Sequence, residues 1–306
     1  MLLVLMVYAD KPQASSVPLA DPYILFDGGI YYAYGTHSAE GIEVYCSSDL
    51  ESWEPKGLAL SKSNTTESRR FWAPEVYRIG EKYYMYYTAD EHLFVAIASS
   101  PTGPFRQQGG PMMEPLIGNE KCIDSSVFFD DDGRVYCFFV RFTDGNCIWM
   151  CQLHNDLMTP IEGTLCKCFG VSQPWEQKLG RVNEGPFVLK RGGIYYLTYS
   201  GNDFRSPDYA VGYATTRSLA VADGETPSWQ KYSGNPILLR IEKLSGTGHH
   251  SFFYDAGSRL RIVFHAHHAA DQVSPRSMYI GTADFDGRFL HLTSEPVIRP
   301  IVCNSK

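Results

Sequence analysis

Residues 26–36 read FDGGIYYAYGT, a glycine-marked turn followed by a strand rich in tyrosine. The phrase returns at 78–89 (RIGEKYYMYYTA), 129–141 (FDDDGRVYCFFVR), 189–201 (LKRGGIYYLTYSG) and 254–267 (YDAGSRLRIVFHAH). Gly and Asp tolerate the backbone angles of a tight turn, and aromatic residues suit the pleated, half-buried surface after it. Aligned on the pair after the turn, the copies begin at Tyr31, Tyr83, Val135, Tyr195 and Leu260, spaced 52, 52, 60 and 65 residues. A second strand and turn follow each, as in IEVYCSSDLESW (42–53) and LFVAIASSPTGPF (93–105). Hairpins recurring at such a period mark a radial repeat, and helical periodicity is nearly absent. The expected fold is all-β, a five-bladed β-propeller with a central pocket, forming one domain over residues 1–306. A two-domain β-sandwich array would not repeat one phrase at this period.

Composition narrows the partners. The chain has 306 residues, 44% of them hydrophobic, which excludes disorder. Its net charge is −7 and it has no basic run, so a nucleic-acid partner is not expected. No apolar run approaches the roughly 20 residues that span a bilayer, so membrane insertion is not expected. Eight cysteines carry no zinc spacing around Cys147/Cys151, Cys166/Cys168 or His154, and buried free thiols are the expected state. The opening MLLVLMVYADKPQ reads in two ways. Residues 1–17 are either an export-signal remnant without its basic region or a leading strand. The first places the protein in the periplasm or outside the cell, the second in the cytoplasm.

In a propeller the innermost strand of each blade lines the central channel. Counting back eleven residues from the aligned pair gives Trp72, Asp124, Glu184 and His249, and the nearest acid in the first repeat is Asp21, ten residues back. These positions are expected at a similar radius and depth. Singly, Asp21 before Pro22 and Glu184 before Gly185-Pro186 read as turn residues. Three carboxylates sharing one phase are another matter, because burying acids around an axis is costly unless they are paired, metal-bound or used. Carboxylates around a pocket with an aromatic wall suit glycoside cleavage: an acid protonates the leaving oxygen, a base activates water, and a third carboxylate raises the acid's pKa. A tryptophan offers a flat apolar face to a sugar.

With those residues in place, the chain resembles glycoside hydrolase family 43, the inverting five-bladed propeller enzymes, from about Pro18 to about Pro300. The matching motifs are LADPYILF (19–26), FWAPEVY (71–77), CIDSSVFF (122–129), NEGPFVLK (183–190) and GTGHHSFF (246–253). The resemblance implies Asp21 as general base, Asp124 as pKa modulator, Glu184 as general acid, and Trp72 and Arg276 (in SPRSMYI) as substrate-binding residues. It implies His249 beside a water or a structural Ca²⁺ at the channel centre, with no cofactor required for the chemistry. His250 departs from the family's asparagine. The Asn-Asp-Pro-Asn-Gly opening and the Arg-Asp-Pro and Glu-Cys motifs of invertase-like propellers are absent.

The expected activity is an inverting exo-acting glycoside hydrolase that removes pentose residues from plant polysaccharides or their oligomers. α-L-Arabinofuranosidase and β-D-xylosidase lead. Galactofuranosidase, exo-galactanase and endo-arabinanase are alternatives within the family, and a non-catalytic carbohydrate-binding propeller is the alternative from another class. Such a binding propeller would be expected to lack one of the three acids. The loops 61–70 and 171–182 both precede inner strands and are expected at the rim, the first closing one end of the pocket. His265 and His267 share a strand face and read as packing, with a metal or substrate role for His265 as the alternative. Asp130, Asp131 and Asp132 before Gly133 read as a hairpin turn.

Overall fold

The computed structural model describes residues 15–221 and 226–303. One six-stranded and four four-stranded sheets form five blades. The inner strands are Ala20–Asp27, Trp72–Ile79, Cys122–Phe129, Asn183–Arg191 and Gly248–Tyr254. Each hairpins into a second strand: Ile30–Thr36, Lys82–Ala89, Val135–Phe142, Ile194–Gly201 and Leu260–Ala266. Third and outer strands follow in sequence order, as in Gly41–Ser47 and Ser52–Ser61 of blade 1. Among the described residues, helix is limited to Glu114–Ile117 and two 3-10 turns, Lys62–Asn64 and Pro174–Gln177, and no helix is long and apolar enough to cross a membrane.

The aromatic content has a structural cause: aromatic side chains at the blade interfaces run round the ring. Tyr23 meets Tyr77 at 5.7 Å between centroids and Tyr77 meets Phe129 at 5.5 Å. Phe128 meets Tyr195 at 5.9 Å, Phe187 meets Phe252 at 5.8 Å, and Phe253 returns to Tyr31 at 6.1 Å. Every blade therefore touches both neighbours through aromatic pairs, each adding about 0.5–1.5 kcal/mol beyond its buried area. The triple-Asp run is a hairpin turn, as expected, and Asp130 reaches across to Lys190 and to Tyr195 Oη (2.6 Å), which pins blade 3 to blade 4.

The ring is closed at the outer edge of blade 1. Ser15–Ser16 pairs with Ile301–Val302, which runs parallel to the strand Ser52–Ser61, and Met278 of blade 5 donates its N–H to the Val17 carbonyl at 3.0 Å. The described end of the 1–17 segment is therefore a leading strand. The export-signal reading rests on residues 1–14, which lie outside the described residues. All eight cysteines are free thiols, five of them buried.

Candidate active site

The inner strands share one irregularity. Pairing with the second strand skips two residues between Ala20 and Tyr23, Trp72 and Glu75, Ile123 and Ser126, Glu184 and Phe187, and Gly248 and Ser251. The first bulged residue always has a positive φ: Asp21 48°, Ala73 43°, Asp124 57°, Gly185 54° and His249 46°. Four of the five are not glycine, so the backbone holds strain where side chains must be re-aimed into the channel. In three blades the second bulged residue is proline, tolerated because no ladder N–H is needed there.

This register corrects the expected equivalence. Phe26, Arg78 and Lys190 pair with Tyr31, Tyr83 and Tyr195, five residues on, but Phe129 and Tyr254 pair with Val135 and Leu260, six residues on. The longer hairpins of blades 3 and 5 shift the count by one. Asp21, Asp124 and His249 occupy the bulge, whereas Trp72 and Glu184 stand one residue before it.

Each bulge N–H is satisfied by a side chain. Ala73 N donates to Thr36 Oγ1 (3.0 Å), Asp124 N to Thr88 Oγ1 (3.1 Å), His249 N to Ser200 Oγ (2.7 Å) and Asp21 N to His265 Nδ1 (3.1 Å). These four acceptors occupy one register position, opposite Ala20, Trp72, Glu184 and Gly248. In blade 3 that position is Val140, which cannot accept. There Asp124 Oδ2 takes the Gly185 N–H instead, at 3.2 Å, and so ties blade 3 to the residue after Glu184.

Asp21, Trp72, Asp124, Glu184, His249 and Arg276 all line one cavity of about 340 Å³. Arg276 Nη1 lies 3.0 Å from Asp21 Oδ1, with His249 Nδ1 at 3.2 Å and His265 Nδ1 at 3.3 Å from the same oxygen. Burial pushes the Asp21 carboxyl up, but Arg276, His249 and His265 together outweigh it and hold the group well below 3.8, ionised. Glu184 is pushed up to about 7, chiefly by burial, and also by the Asp21 charge, against the hydrogen bonds from Tyr209 Oη (2.8 Å, to Oε1) and Asn146 Nδ2 (3.0 Å, to Oε2). Burial, then Glu184 and Asp21, raise Asp124 well above 3.8. The cavity thus holds an ionised carboxylate opposite a pair of carboxyls that keep a proton near neutral pH. That division is what acid–base chemistry on one substrate requires.

Several lining residues carry no motif and escaped the sequence reading: Asn146, Asp203, Glu91, Phe142 and Phe204, with Tyr209 behind. Phe142 and Phe204 add two aromatic faces to Trp72, and the Arg276 guanidinium stacks on Phe204 at 4.6 Å. Of the two expected rim loops only the second lines the cavity; no residue of 61–70 does, so the first does not close the pocket as expected. Arg70 ends the first and grips the cavity-lining Glu91 at 2.5 Å, while Val182 of the second lines the wall. The second loop is anchored by Glu176, fully buried, which accepts from Lys231 Nζ (2.6 Å), Tyr199 Oη (2.6 Å) and the N–H groups of Ser172 and Gln173. Lys231 also reaches Asn183 Oδ1, next to Glu184, at 3.0 Å. His265 neither packs passively nor faces the cavity; it supports Asp21. A larger recess of about 720 Å³ flanks blade 4 between Tyr213, Tyr232 and Phe289, and its described lining has no carboxylate or histidine for such chemistry.

Below the cavity all five bulges enclose a void of about 20 Å³, bordered by Asp21, Glu75, Asp124, His249 and His250. Ser125 Oγ and His250 Nδ1, also on its wall, have no hydrogen-bond partner. Two orphan polar atoms and room for one small particle suit an ordered water. A Ca²⁺ held by protein side chains alone does not fit, so water would supply most of its oxygens. Among the described residues no three His, Cys, Asp or Glu side chains converge as a ligand set, while calcium takes six to eight oxygens. His249 is engaged with Asp21, His250 is pushed down to about 3 by burial and so neutral, and burial pushes Glu75 up to about 8.

A profile of the family described as Glycosyl hydrolases family 43 matches residues 15–286. The β-D-galactofuranosidase xynD of Aspergillus niger is 27% identical over 273 residues, covering 82% of this chain and 75% of that protein. The extracellular exo-α-(1→5)-L-arabinofuranosidase ArbA of Cellvibrio japonicus is 26% identical over 287 residues, covering 84% and 81%. A solved structure, an endo-1,4-β-xylanase of Bacteroides thetaiotaomicron, superposes with a TM-score of 0.88 at 41% identity, covering 95% of this chain and 99% of that one.

Proposed function

The chain belongs to glycosyl hydrolases family 43 and is therefore an inverting O-glycosyl hydrolase of pentose- and furanose-containing polysaccharides, and from that premise we propose that it acts from chain ends, releasing single pentose residues, α-L-arabinofuranosyl ahead of β-D-xylosyl. The observation that carries the exo reading is the cavity: about 340 Å³, near the lower limit of small-molecule sites, lined by the three acids together with Trp72, Phe142 and Phe204. A volume of that size suits one sugar and part of the next, which favours action at a chain end.

In this reading Asp21 is the base. Held ionised by Arg276, it takes a proton from the water that attacks the anomeric carbon. Glu184 gives its proton to the leaving oxygen from the opposite face. Asp124 keeps that proton available and orients the chain at Gly185. Trp72 supplies an apolar face and Arg276 a donor to the sugar. These side chains complete the reaction among themselves, with no metal.

The endo alternative draws on the relative described as an endo-1,4-β-xylanase. Product analysis separates the two. Arabino- and xylo-oligosaccharides, with nitrophenyl arabinofuranoside, xyloside and galactofuranoside alongside, are followed from the first minutes. Monosaccharide as the sole early product, fastest from the arabinofuranosides, is expected. Early oligosaccharides of mixed length would overturn the exo reading.

A further inference from the structure

Glu184 is approached from two sides that differ in kind. Asn146, on Oε2, lines the cavity with Glu184. Tyr209, on Oε1, is fully buried behind it and does not line the cavity. Its ring stacks on His265, with centroids 5.6 Å apart and planes 13° apart, and a Cβ at Gly248 would overlap it. The ring is thus clamped between the strand that begins at Gly248 and the histidine that supports Asp21. Burial, then the Glu184 and Asp21 charges, hold the phenol well above its ordinary value of 10, so its hydroxyl keeps its hydrogen and donates it.

We propose that Tyr209 is a positioning residue of the acid: by donating to Oε1 from behind the cavity wall it fixes the carboxyl so that Oε2, the oxygen on the side of the cavity-lining Asn146, is the one that carries the transferable proton. The inference rests on Glu184 being the acid. In the bond-breaking step the Oε2–H bond breaks and a bond from hydrogen to the leaving oxygen forms. That oxygen takes the electron pair of the glycosidic bond, the water oxygen bonds to the anomeric carbon, and the water's proton goes to Asp21. Glu184 is left as a carboxylate whose Oε1 is already hydrogen-bonded to Tyr209, and solvent later returns its proton. The other groups bearing on Glu184 are Asp21, Asp124 and Asp203 as like charges and Asn146 as a donor, with His249 and Arg276 in the same cavity.

The test is the pH profile of kcat/KM on an unactivated pentose oligosaccharide. Tyr209→Phe removes a donor that favours the ionised acid, so the basic limb moves up by about one pH unit with KM unchanged. Replacing Tyr209 with 3-fluorotyrosine, whose hydroxyl is the stronger donor, moves the limb down. Opposite displacements from two near-isosteric changes are not what a merely structural role produces. A limb that stays in place in both proteins overturns the inference, whatever happens to the rates. Glu184→Gln keeps that failure apart from failure of the reading beneath it. Equal loss on natural and activated glycosides removes Glu184 as the acid. Selective loss on natural glycosides, with a limb insensitive to Tyr209, removes only the role given to Tyr209.

Discussion

Replacing Arg276 with Met removes the cation on which Asp21 depends while keeping much of the side chain's length. In the native site Arg276 Nη1 lies 3.0 Å from Asp21 Oδ1, both groups largely shielded from water. The two remaining neighbours are imidazoles. Burial is the main cause lowering both, with the Arg276 charge lowering each further and taking His265 to about 3, so in the variant both rise but burial still opposes their charging. A charge-assisted hydrogen bond contributes about 1.5–3 kcal/mol, and one pKa unit corresponds to about 1.4 kcal/mol. The sign follows from the native shift. Asp21 is depressed below 3.8, so its carboxylate is ionised at neutral pH, and the stability it adds is present above 3.8 and lost only as pH falls through its lower folded value. In Arg276→Met the largest charge opposing burial is gone and only the two imidazoles remain against it, so the carboxyl rises and Asp21 is protonated over more of the acid range. The acid limb of kcat/KM should move up by about one to two pH units. Opening a buried pair should also lower stability at neutral pH by about 3–5 kcal/mol. The assay is kcat/KM against pH on an activated pentoside, with denaturant unfolding in parallel. An acid limb that stays where the native enzyme has it, with only a uniform fall in rate, would refute the assignment of Asp21 as the base held by Arg276.

Asp124→Asn should move the basic limb down: the last proton shared by two carboxyls is held by the repulsion between them, whichever oxygen carries it, and an amide removes that repulsion. Glu176→Gln should destabilise the fold by about 3–5 kcal/mol in denaturant titration, because Lys231 is left buried without its carboxylate. Adding Lys231→Met should recover most of that loss; a single variant as stable as the native protein would show that the anchored loop does not depend on the pair. Exhaustive chelation should leave both kcat and the melting temperature unchanged, and a fall restored by Ca²⁺ would mean that the axial void opens to accept a cation.

The blade count was legible because one phrase, turn then aromatic strand, must recur for every blade to seal against the next, and Tyr31, Tyr77, Tyr195 and the paired phenylalanines do that sealing. The carboxylates were legible because acids on inner strands are rarely idle. Depth along the strand was not. A five-residue or a six-residue pairing offset leaves no mark in the hydrophobic pattern, so Glu184 and Asp124 seemed equivalent while standing one residue apart in register. Asn146, Asp203 and Phe204 sit at strand ends and loops, where reach into the cavity depends on the packing of neighbouring blades. Tyr209 was hidden among 20 tyrosines. Its signal lay elsewhere, in Gly248 of GTGHH, whose missing side chain leaves room for the ring. His265 resembled a packing residue because the duty it performs, receiving a bulge N–H, falls to Thr or Ser in three other blades.

Leaving-group dependence in two variants tests the central claim most directly. If Glu184 supplies the proton and Asp21 activates the water, Glu184→Gln should lower kcat/KM on pentose oligosaccharides by about 10²–10⁴-fold. It should cost far less on dinitrophenyl pentosides, which depart without a proton. Asp21→Asn should abolish turnover of both, since both need the water. Equal impairment of the two substrate classes by Glu184→Gln, or an Asp21→Asn enzyme that still turns over the dinitrophenyl substrate at the native rate, would contradict the account.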